Sequence, residues 1–166
     1  MTRRWLAIVN PVAGAGRTRR HYGTLHKAMA SRGLRIEAVY TKEAGEATRL
    51  ARDAGGFDGV LSVGGDGTLN EVLNGLQSHA APLLAVAPLG TGNDFARRLR
   101  LPTEPYRLAD LVLRAPVQRV RIGEVAFEDG GVSRTCRFLN SAGMGLDAAV
   151  LDRLPRGVPP GLAYLV

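Results

Sequence analysis

The segment Leu61-Ser-Val-Gly-Gly-Asp-Gly-Thr-Leu-Asn-Glu-Val-Leu-Asn-Gly75 decides the fold of this chain. It begins as an apolar strand, turns at Gly64-Gly65 and restarts as a helix after Thr68. A glycine-rich turn before a helix suits a phosphate group, because free backbone N–H groups and the positive end of the helix dipole point at one place. Glycine also lets the backbone come close to the phosphate. The segment therefore predicts a phosphate site at the end of a strand.

Asp66 is an unusual residue for such a turn, since a carboxylate repels a phosphate unless a cation lies between them. A magnesium–nucleotide resolves the conflict, with Asp66 turned toward the metal directly or through water. A purely structural alternative stays open, because Thr68 and Glu71 have the spacing of a capping box and an apolar stripe follows at helical spacing.

Length and composition indicate one globular domain. The chain has 166 residues, 45% of them apolar and 22% charged, and no run reaches the roughly 18 apolar residues that a membrane helix needs. The apolar stretch near the N-terminus is too short for a signal peptide. The single cysteine, Cys136, excludes an internal disulfide and a multi-cysteine metal site, and we expect it in a buried strand position. A cytoplasmic location follows as the default.

The net charge of +7 comes almost wholly from arginine. Arginine prefers phosphate and carboxylate partners, so a nucleotide, a nucleic acid or an anionic bilayer surface are candidate partners. Aromatic residues make up only 5% of the chain and do not alternate with the basic ones. This pattern argues against nucleic-acid binding through base stacking.

A second small-residue loop follows the apolar run Trp5–Val9, which predicts a buried parallel strand. The loop, Asn10–Gly16, is not a P-loop, because Pro11 replaces the first glycine of that motif and Arg17 replaces its lysine. Downstream we predict helices over 17–32 and 46–54 and a strand over 60–63. The segment 34–41 alternates apolar and polar residues, which predicts a strand whose apolar face, with Ala38 and Tyr40, is covered. Thr41 then lies at the carboxyl edge of the sheet, where open α/β sheets bind ligands.

A third loop, Pro88–Arg98, follows the predicted strand Leu83–Ala87 and again combines glycines with a hydroxyl, an amide and a carboxylate. Asn93 or Asp94 alone fits a simple helix N-cap. However, two strand ends that carry G-G-D-G-T and G-T-G-N-D lie at the same sheet edge. We therefore predict that the two loops act together in binding.

The C-terminal third is predicted to contain a helix over 104–114 and strands over 117–127 and 136–141, joined by a turn at 128–131, with a further turn at 143–145. The tail 151–166 is apolar and broken by proline and glycine, and we interpret it as part of a linker. The expected division is a nucleotide-binding domain over 1–145 and a linker over 146–166 into a second, β-rich domain that is absent from this chain.

With these motifs in order, the chain resembles the catalytic domain of the diacylglycerol kinase family of lipid kinases, which includes sphingosine kinases and is distantly related to NAD kinases. The matching segments are Asn10–Gly16, Thr41, Gly64–Gly75, Pro88–Arg97 and Phe138–Asp147. The resemblance implies a three-layer α/β/α nucleotide-binding domain with a mostly parallel sheet, the N-terminal half of a two-domain enzyme. G-G-D-G alone also resembles phosphofructokinases.

The resemblance implies ATP and Mg²⁺ as cofactors and transfer of the γ-phosphoryl of ATP to a diacylglycerol-like lipid hydroxyl. Asn10, Pro11, Val12, Ala13 and Gly14 would contact phosphates, and Thr41 would lie near the adenosine. The remaining nucleotide-binding positions would be Gly64, Gly65, Asp66, Gly67, Thr68, Leu69, Asn70, Glu71, Gly90, Thr91 and Asn93. Asp66 and Asp94 would belong to a magnesium-linked network.

Two departures from the family pattern limit this expectation. The acidic general base belongs to the second domain in the family, so we expect no catalytic residue in these 166 residues, weak nucleotide binding and little or no turnover. In addition, Arg121 stands where the family usually has an aspartate, and it could replace the cation by pairing with Asp66.

The alternatives are a kinase for a sphingoid base or NAD, and a non-catalytic nucleotide or lipid sensor. A peripheral membrane surface is an expected partner, and Arg97, Arg98 and Arg100 either face lipid headgroups or form a solvated helix end. The sequence does not determine the oligomeric state, and a homodimer is a candidate assembly.

Overall fold

The computed structural model describes residues 3–76 and 82–142. The strands are Arg4–Val9 (β1), Arg35–Tyr40 (β2), Gly59–Gly64 (β3), Leu83–Pro88 (β4), Gly123–Asp129 (β5) and Val132–Phe138 (β6). The helices are Arg17–Ala30 (α1), Glu46–Arg52 (α2), Asp66–Gly75 (α3), Asp94–Arg98 (α4) and Pro105–Arg114 (α5). The predicted linker 146–166 and the turn at 143–145 lie outside the described residues.

Four strands form a parallel sheet in the order β2-β1-β3-β4. Val9 pairs with Tyr40 on one side and with Val63 on the other, and Gly64 pairs with Pro88. The chain therefore leaves β1 toward β2 and returns on the opposite side of β1 as β3. This reversal places the ends of β1 and β3 at a topological switch point, the place where such sheets bind ligands.

Helices cover both faces of this sheet, which confirms the predicted α/β/α layers. Successive side chains of β1 point to opposite faces: Ala7 packs in a cluster with residues of α1 and α5, whereas Leu6 and Ile8 pack in a cluster with residues of α2 and α3. Of the predicted short apolar strands, β1 and β3 are thus buried on both faces, whereas β4, which was also predicted to be buried, is mostly half-buried.

The strand β2 lies at an edge of the sheet. We expected one of its faces, with Ala38 and Tyr40, to be covered, but both of these residues are exposed. Ile36 packs against one core cluster and Val39 against the other. An edge strand with partial cover on each face produces this pattern.

The C-terminal strands differ from their predicted bounds. The predicted strand over 117–127 begins only at Gly123, and the one over 136–141 is replaced by Val132–Phe138. The turn sets this register, because Gly130 and Gly131 both have positive φ and the two strands pair outward from them as far as Gly123 and Phe138. Cys136 lies in β6, as predicted, but it is only half-buried.

No helix within the described ranges is long and apolar enough to cross a lipid bilayer.

Candidate functional site

Three loops meet at the carboxyl edge of the sheet, and we call residues 10–16, 64–66 and 88–93 the three-loop junction. The backbone N–H of Asn10 donates to the Val63 carbonyl at 2.9 Å, next to the loop 64–66. The amides of Leu89 and Gly90 both donate to the Gly64 carbonyl, at 2.9 and 2.8 Å. The predicted convergence of the two glycine-rich loops is therefore confirmed, and the loop after β1 joins them.

Two glycines make this close approach possible. A Cβ atom on Gly90 would lie 2.2 Å from the Cα of Gly65, and a Cβ on Gly14 would lie 2.3 Å from the Leu89 carbonyl oxygen. Both obstacles are backbone atoms, which cannot move aside as a flexible side chain can. The small residues of these loops thus serve loop-to-loop packing as well as any ligand.

The loop after β1 is held by the side chain of Asn10. Its carbonyl oxygen accepts from the Val12 amide at 3.2 Å, and its Nδ2 donates to Thr68 Oγ1 at 3.0 Å. Gly14, Ala15 and Gly16 all adopt left-handed backbone conformations, with φ of 62°, 55° and 80°. Val12 is 77% exposed, so the outer part of this loop faces solvent.

The helix α3 starts at Asp66, and the capping-box alternative is wrong. Thr68 lies inside the helix and is buried against Asn10, while Glu71 Oε2 accepts from the Ala47 amide at 3.2 Å, at the start of α2. Both side chains serve partners distant in sequence. Gly67 is exposed with no atom within 4 Å of its Cβ position, so the first turn of α3 is open to a ligand.

Of the remaining residues predicted on α3, Leu69 is buried in the protein and Asn70 is exposed. Only the backbone N–H of Leu69 is therefore near the site, and this N–H already donates to the Gly65 carbonyl at 3.0 Å.

Asp66 uses its carboxylate to hold neighbouring backbone. Its Oδ2 accepts from the Asp94 amide at 3.0 Å, and its Oδ1 accepts from the Phe95 amide and from Asn140 Nδ2, both at 3.2 Å. A Cβ on Gly92 would lie 3.3 Å from Asp66 Oδ2 and 3.8 Å from both Asp94 carboxylate oxygens. The two acidic groups of the predicted magnesium network therefore flank Gly92.

This donor set fits a magnesium ion that arrives with a nucleotide rather than one held by the protein alone. An ionised carboxylate has about four acceptor positions, and protein donors fill three of those on Asp66. The Asp94 carboxylate is exposed, 3.7 Å from Arg97. Within residues 3–76 and 82–142 no cluster of three acidic, histidine or cysteine side chains occurs. Mg²⁺ commonly uses one or two carboxylates together with substrate phosphates.

Arg121 is exposed, and the partners of Asp66 are the two amides and Asn140. The expectation that Arg121 replaces the cation by pairing with Asp66 is therefore wrong. Residues 117–122 precede β5 and carry Arg121 outside the hydrogen-bonded hairpin.

Asn93 supports the third loop from within and does not cap α4 with its side chain. It has a left-handed φ of 53°, and its Nδ2 donates to the carbonyls of Pro88 and Gly90. The Arg17 guanidinium also donates to the Gly90 carbonyl, at 2.5 Å. Sequence reasoning treated Arg17 only as a departure from the P-loop and missed this contact.

Thr91 and Thr41 lie on different sides of the junction. Thr91 is exposed and lines a concavity of about 400 Å³ between α1, α4 and α5, together with Arg17 and Arg97. Thr41 follows β2 and is nearly buried, with its amide donating to the Val9 carbonyl. Two strand spacings, about 10 Å, separate β2 from β3.

Two asparagines of the matched segments connect the hairpin β5–β6 to α3. Asn74 Oδ1 accepts from the Arg137 amide at 2.8 Å, and its Nδ2 donates to the Arg137 carbonyl at 2.9 Å. The Arg137 side chain donates to the Leu76 carbonyl, and Asn140 reaches Asp66. Both asparagines stand in segments that match the family, but no local sequence pattern indicated that Asn74 would bind Arg137 or that Asn140 would bind Asp66.

A comparison with known proteins agrees with this geometry. The family described as "Diacylglycerol kinase catalytic domain" matches residues 4–125. The chain belongs to this family. It is 36% identical over 142 residues to a diacylglycerol kinase of Bacillus subtilis, covering 83% of this chain and 44% of that protein. It is 34% identical over 156 residues to a Chromohalobacter salexigens protein named "Probable lipid kinase YegS-like", covering 91% and 46%.

A solved structure shares the fold. A diacylglycerol kinase from Bacillus anthracis superimposes with a TM-score of 0.65 at 32% identity, covering 79% of this chain and 45% of that one. The chain spans less than half the length of the relatives it matches.

Proposed function

We propose that this chain is the nucleotide-binding part of an ATP-dependent lipid kinase that transfers the γ-phosphoryl group of ATP to a diacylglycerol-like lipid hydroxyl. The observation that carries the proposal is the open first turn of α3 beside the three-loop junction, where Gly67 faces free space. A helix N-terminus of this kind attracts phosphate through its free N–H groups and dipole. The family membership supplies the reaction class.

In this proposal the phosphates lie over the first turn of α3 and against the loop Asn10–Gly14. The adenosine extends along the sheet edge toward Thr41, which is about one nucleoside length away. Phosphoryl transfer depends mostly on positioning and neutralisation of charge. Asp94, with the remaining acceptor position of Asp66, would hold Mg²⁺, which supplies charge neutralisation between the phosphate oxygens when bound.

The isolated chain is proposed to bind nucleotide without turning it over. In the proposed division, residues 1–145 form the nucleotide-binding domain, and the general base lies in the part of the enzyme that these residues do not include. A positioned general base contributes roughly 10²–10⁴-fold in rate. The intact protein would act from the cytoplasm at a membrane surface, with the exposed Arg97, Arg98 and Arg100 toward anionic headgroups.

Replacement of Gly67 by alanine tests the nucleotide site. The new methyl group meets no protein atom, so the fold should remain, but it occupies the space proposed for a phosphate. We expect the affinity for ATP with Mg²⁺, measured by calorimetric titration, to fall at least tenfold. Gly23→Ala on α1 is the matched control, because its Cβ position is also open. Equal affinities of both variants and the unchanged chain would contradict the proposal.

The acceptor is tested on a longer protein that includes this domain. ATP turnover with diacylglycerol, a sphingoid base and NAD as alternative acceptors separates the lipid kinase from its relatives. Nucleotide binding without turnover of any acceptor would favour a sensor.

A further inference from the structure

The helix α4 receives its N-terminal cap from another loop. Its own N-cap residue, Asn93, directs its amide to the Pro88 and Gly90 carbonyls. The amides of Asp94 and Phe95 instead donate to the two oxygens of Asp66. The orientation of the Asp66 carboxylate therefore fixes the first turn of α4 and with it the position of Asp94.

Asn140 fixes that orientation from the other side. An ionised carboxylate can only accept hydrogen bonds, so the 3.2 Å contact to Asp66 Oδ1 requires the NH₂ group of Asn140 as donor. An asparagine meets this requirement, whereas an aspartate at the same place would repel Asp66. With the two α4 amides, Asn140 completes three donors around one carboxylate.

The backbone before Asn140 is held against the same helix. Both polar backbone groups of Arg137 pair with the side chain of Asn74, near the C-terminal end of α3. Asp66 is the first residue of α3. The segment 137–140 is thus attached to α3 at both ends, at Arg137 through Asn74 and at Asn140 through Asp66.

We propose that Asn140 is a positioning residue for the nucleotide site. It orients Asp66, and through Asp66 it sets the first turn of α4, so that the exposed Asp94 carboxylate is presented toward the cation of a bound nucleotide. This rests on the proposed function for its ligand, but the orientation of α4 is a property of the ligand-free chain.

The first test uses backbone amide NMR signals of the ligand-free chain. In Asn140→Ala the signals of Asp94 and Phe95 should shift, because the acceptor of their hydrogen bonds loses its third donor and rotates. In Asn140→Asp the shifts should be larger without Mg²⁺, and Mg²⁺ should partly reverse them by lying between the two carboxylates. Unshifted Asp94 and Phe95 signals in both variants would overturn the proposal.

The second test is nucleotide affinity, with Asn74→Ala as the matched control. Asn140→Ala should weaken binding of ATP with Mg²⁺ by about 3- to 10-fold, the equivalent of one typical intramolecular hydrogen bond, and weaken binding of ATP without Mg²⁺ by less. Asn74→Ala releases the hairpin but leaves the Asp66 contacts, so it should shift the Arg137 signal and change affinity less than twofold. Equal losses in both variants would show that Asn140 only holds the segment in place.

Failure of the proposed function gives a different result. If the unchanged chain binds no ATP, the nucleotide assignment is wrong, while the NMR comparison of Asp94 and Phe95 still decides whether Asn140 positions α4. Thermal unfolding of each variant shows that it is folded before either comparison is made.

Discussion

The three-loop junction lies at the N-terminal end of α3 and the β5–β6 hairpin contacts α3 near its C-terminal end, and the two are held by different contacts. In the junction, the closest contacts are backbone to backbone: two amides share the Gly64 carbonyl, and Gly90 packs on Gly65 without any intervening side chain. Side-chain hydrogen bonds from Asn10, Arg17 and Asn93 add to this packing. At the hairpin and the residues that follow it, hydrogen bonds to α3 and the residue after it involve the side chains of Asn74, Arg137 and Asn140. The junction is also the end of a buried sheet, whereas Phe127 and Val132 of the hairpin are exposed.

This difference predicts that the junction moves only when the whole domain unfolds, whereas the hairpin can shift by itself. Moving the junction loops would break ladder hydrogen bonds of the central strands, so their geometry is tied to global folding. Moving the hairpin would break a few polar contacts at a partly exposed surface. Such local opening costs much less free energy than global unfolding. The proposed nucleotide site is therefore expected to be preformed, and the orientation of the hairpin relative to α3 is expected to be variable.

The largest effect is predicted for Gly90→Ala. Its Cβ would lie 2.2 Å from the Cα of Gly65, and both atoms belong to loops fixed by the sheet. Overpacking that side chains cannot relieve typically destabilises by 1–3 kcal/mol, so we expect about 3 kcal/mol in urea-induced unfolding. The control is Gly23→Ala, in an open helical position, which should stabilise by up to about 1 kcal/mol. A change below about 1 kcal/mol for Gly90→Ala would show that the junction adjusts.

The sheet and the junction could be read from the sequence because both depend on local signals. Short apolar runs predicted β1, β3 and β4, and an alternating pattern predicted β2. Glycine-rich segments at the ends of β1, β3 and β4 predicted the turns, since the parallel sheet brings those ends to one edge. Thr68 and Glu71 misled because their spacing fits a local cap, while their actual partners, Asn10 and Ala47, lie on other elements.

The hairpin and its attachments could not be read in the same way. Its register follows from the Gly130-Gly131 turn, not from the apolar pattern, which continued back to residue 117. The role of Asp66 depends on amides 28 and 29 residues away in the chain. Such long-range contacts leave no periodicity in the sequence, so the hydrogen bonds of Asp66 could not be predicted from it. Magnesium binding by Asp66 and Asp94 remains a prediction.

A smaller effect is predicted for Asn74→Ala. It removes two hydrogen bonds to the Arg137 backbone, each worth about 0.5–1.5 kcal/mol. We expect global stability to fall by about 1–2 kcal/mol and the Arg137 amide to lose protection from hydrogen exchange, while amides of β3 stay protected. Asn70→Ala, one turn earlier on the exposed side of α3, removes only the longer 3.4 Å contact from Asn74 Nδ2 to Asn70 Oδ1, so it should change stability by less than about 0.5 kcal/mol. Loss of β3 protection alongside Arg137 would mean that hairpin and sheet unfold together.

Ala15→Gly should strengthen the junction slightly. Ala15 holds a left-handed φ of 55°, which disfavours an L-residue by about 1–2 kcal/mol, and glycine regains part of this while adding freedom to the unfolded chain. The expected net gain is about 0.5–1 kcal/mol in urea unfolding. Gly16→Ala makes the opposite change at φ 80° with open space around it and should destabilise by about 1 kcal/mol. A loss of stability in Ala15→Gly would contradict this.

The smallest effect concerns an ion pair between α5 and the turn that follows α1, outside the three-loop junction. Arg32, in the turn after α1, binds both oxygens of Asp110, at 2.6 and 3.1 Å, and its guanidinium lies over the Tyr106 ring, so it joins the C-terminal end of α1 to α5. The hydrogen bond from Arg32 lowers the pKa of the Asp110 carboxyl. Because the folded pKa lies below the unfolded one, the contribution to stability is complete at neutral pH and is lost as the pH falls through about 4 and below.

Asp110→Asn should therefore lower the midpoint of thermal unfolding at pH 7, with the difference from the unchanged chain shrinking toward pH 3. Arg32→Lys keeps the positive charge but loses the two-point contact, so it should lower the midpoint at pH 7 as well, with a weaker dependence on pH. The Arg32–Asp110 ion pair is partly exposed and therefore partly screened by salt, so the differences should also shrink at high ionic strength. A pH-independent difference for Asp110→Asn would mean that packing around Tyr106, and not the charge, joins α1 to α5. The helices α1 and α5 would then be held against the sheet without a contribution from this ion pair. The sheet and its helices would differ still more from the hairpin, which is held by polar side chains.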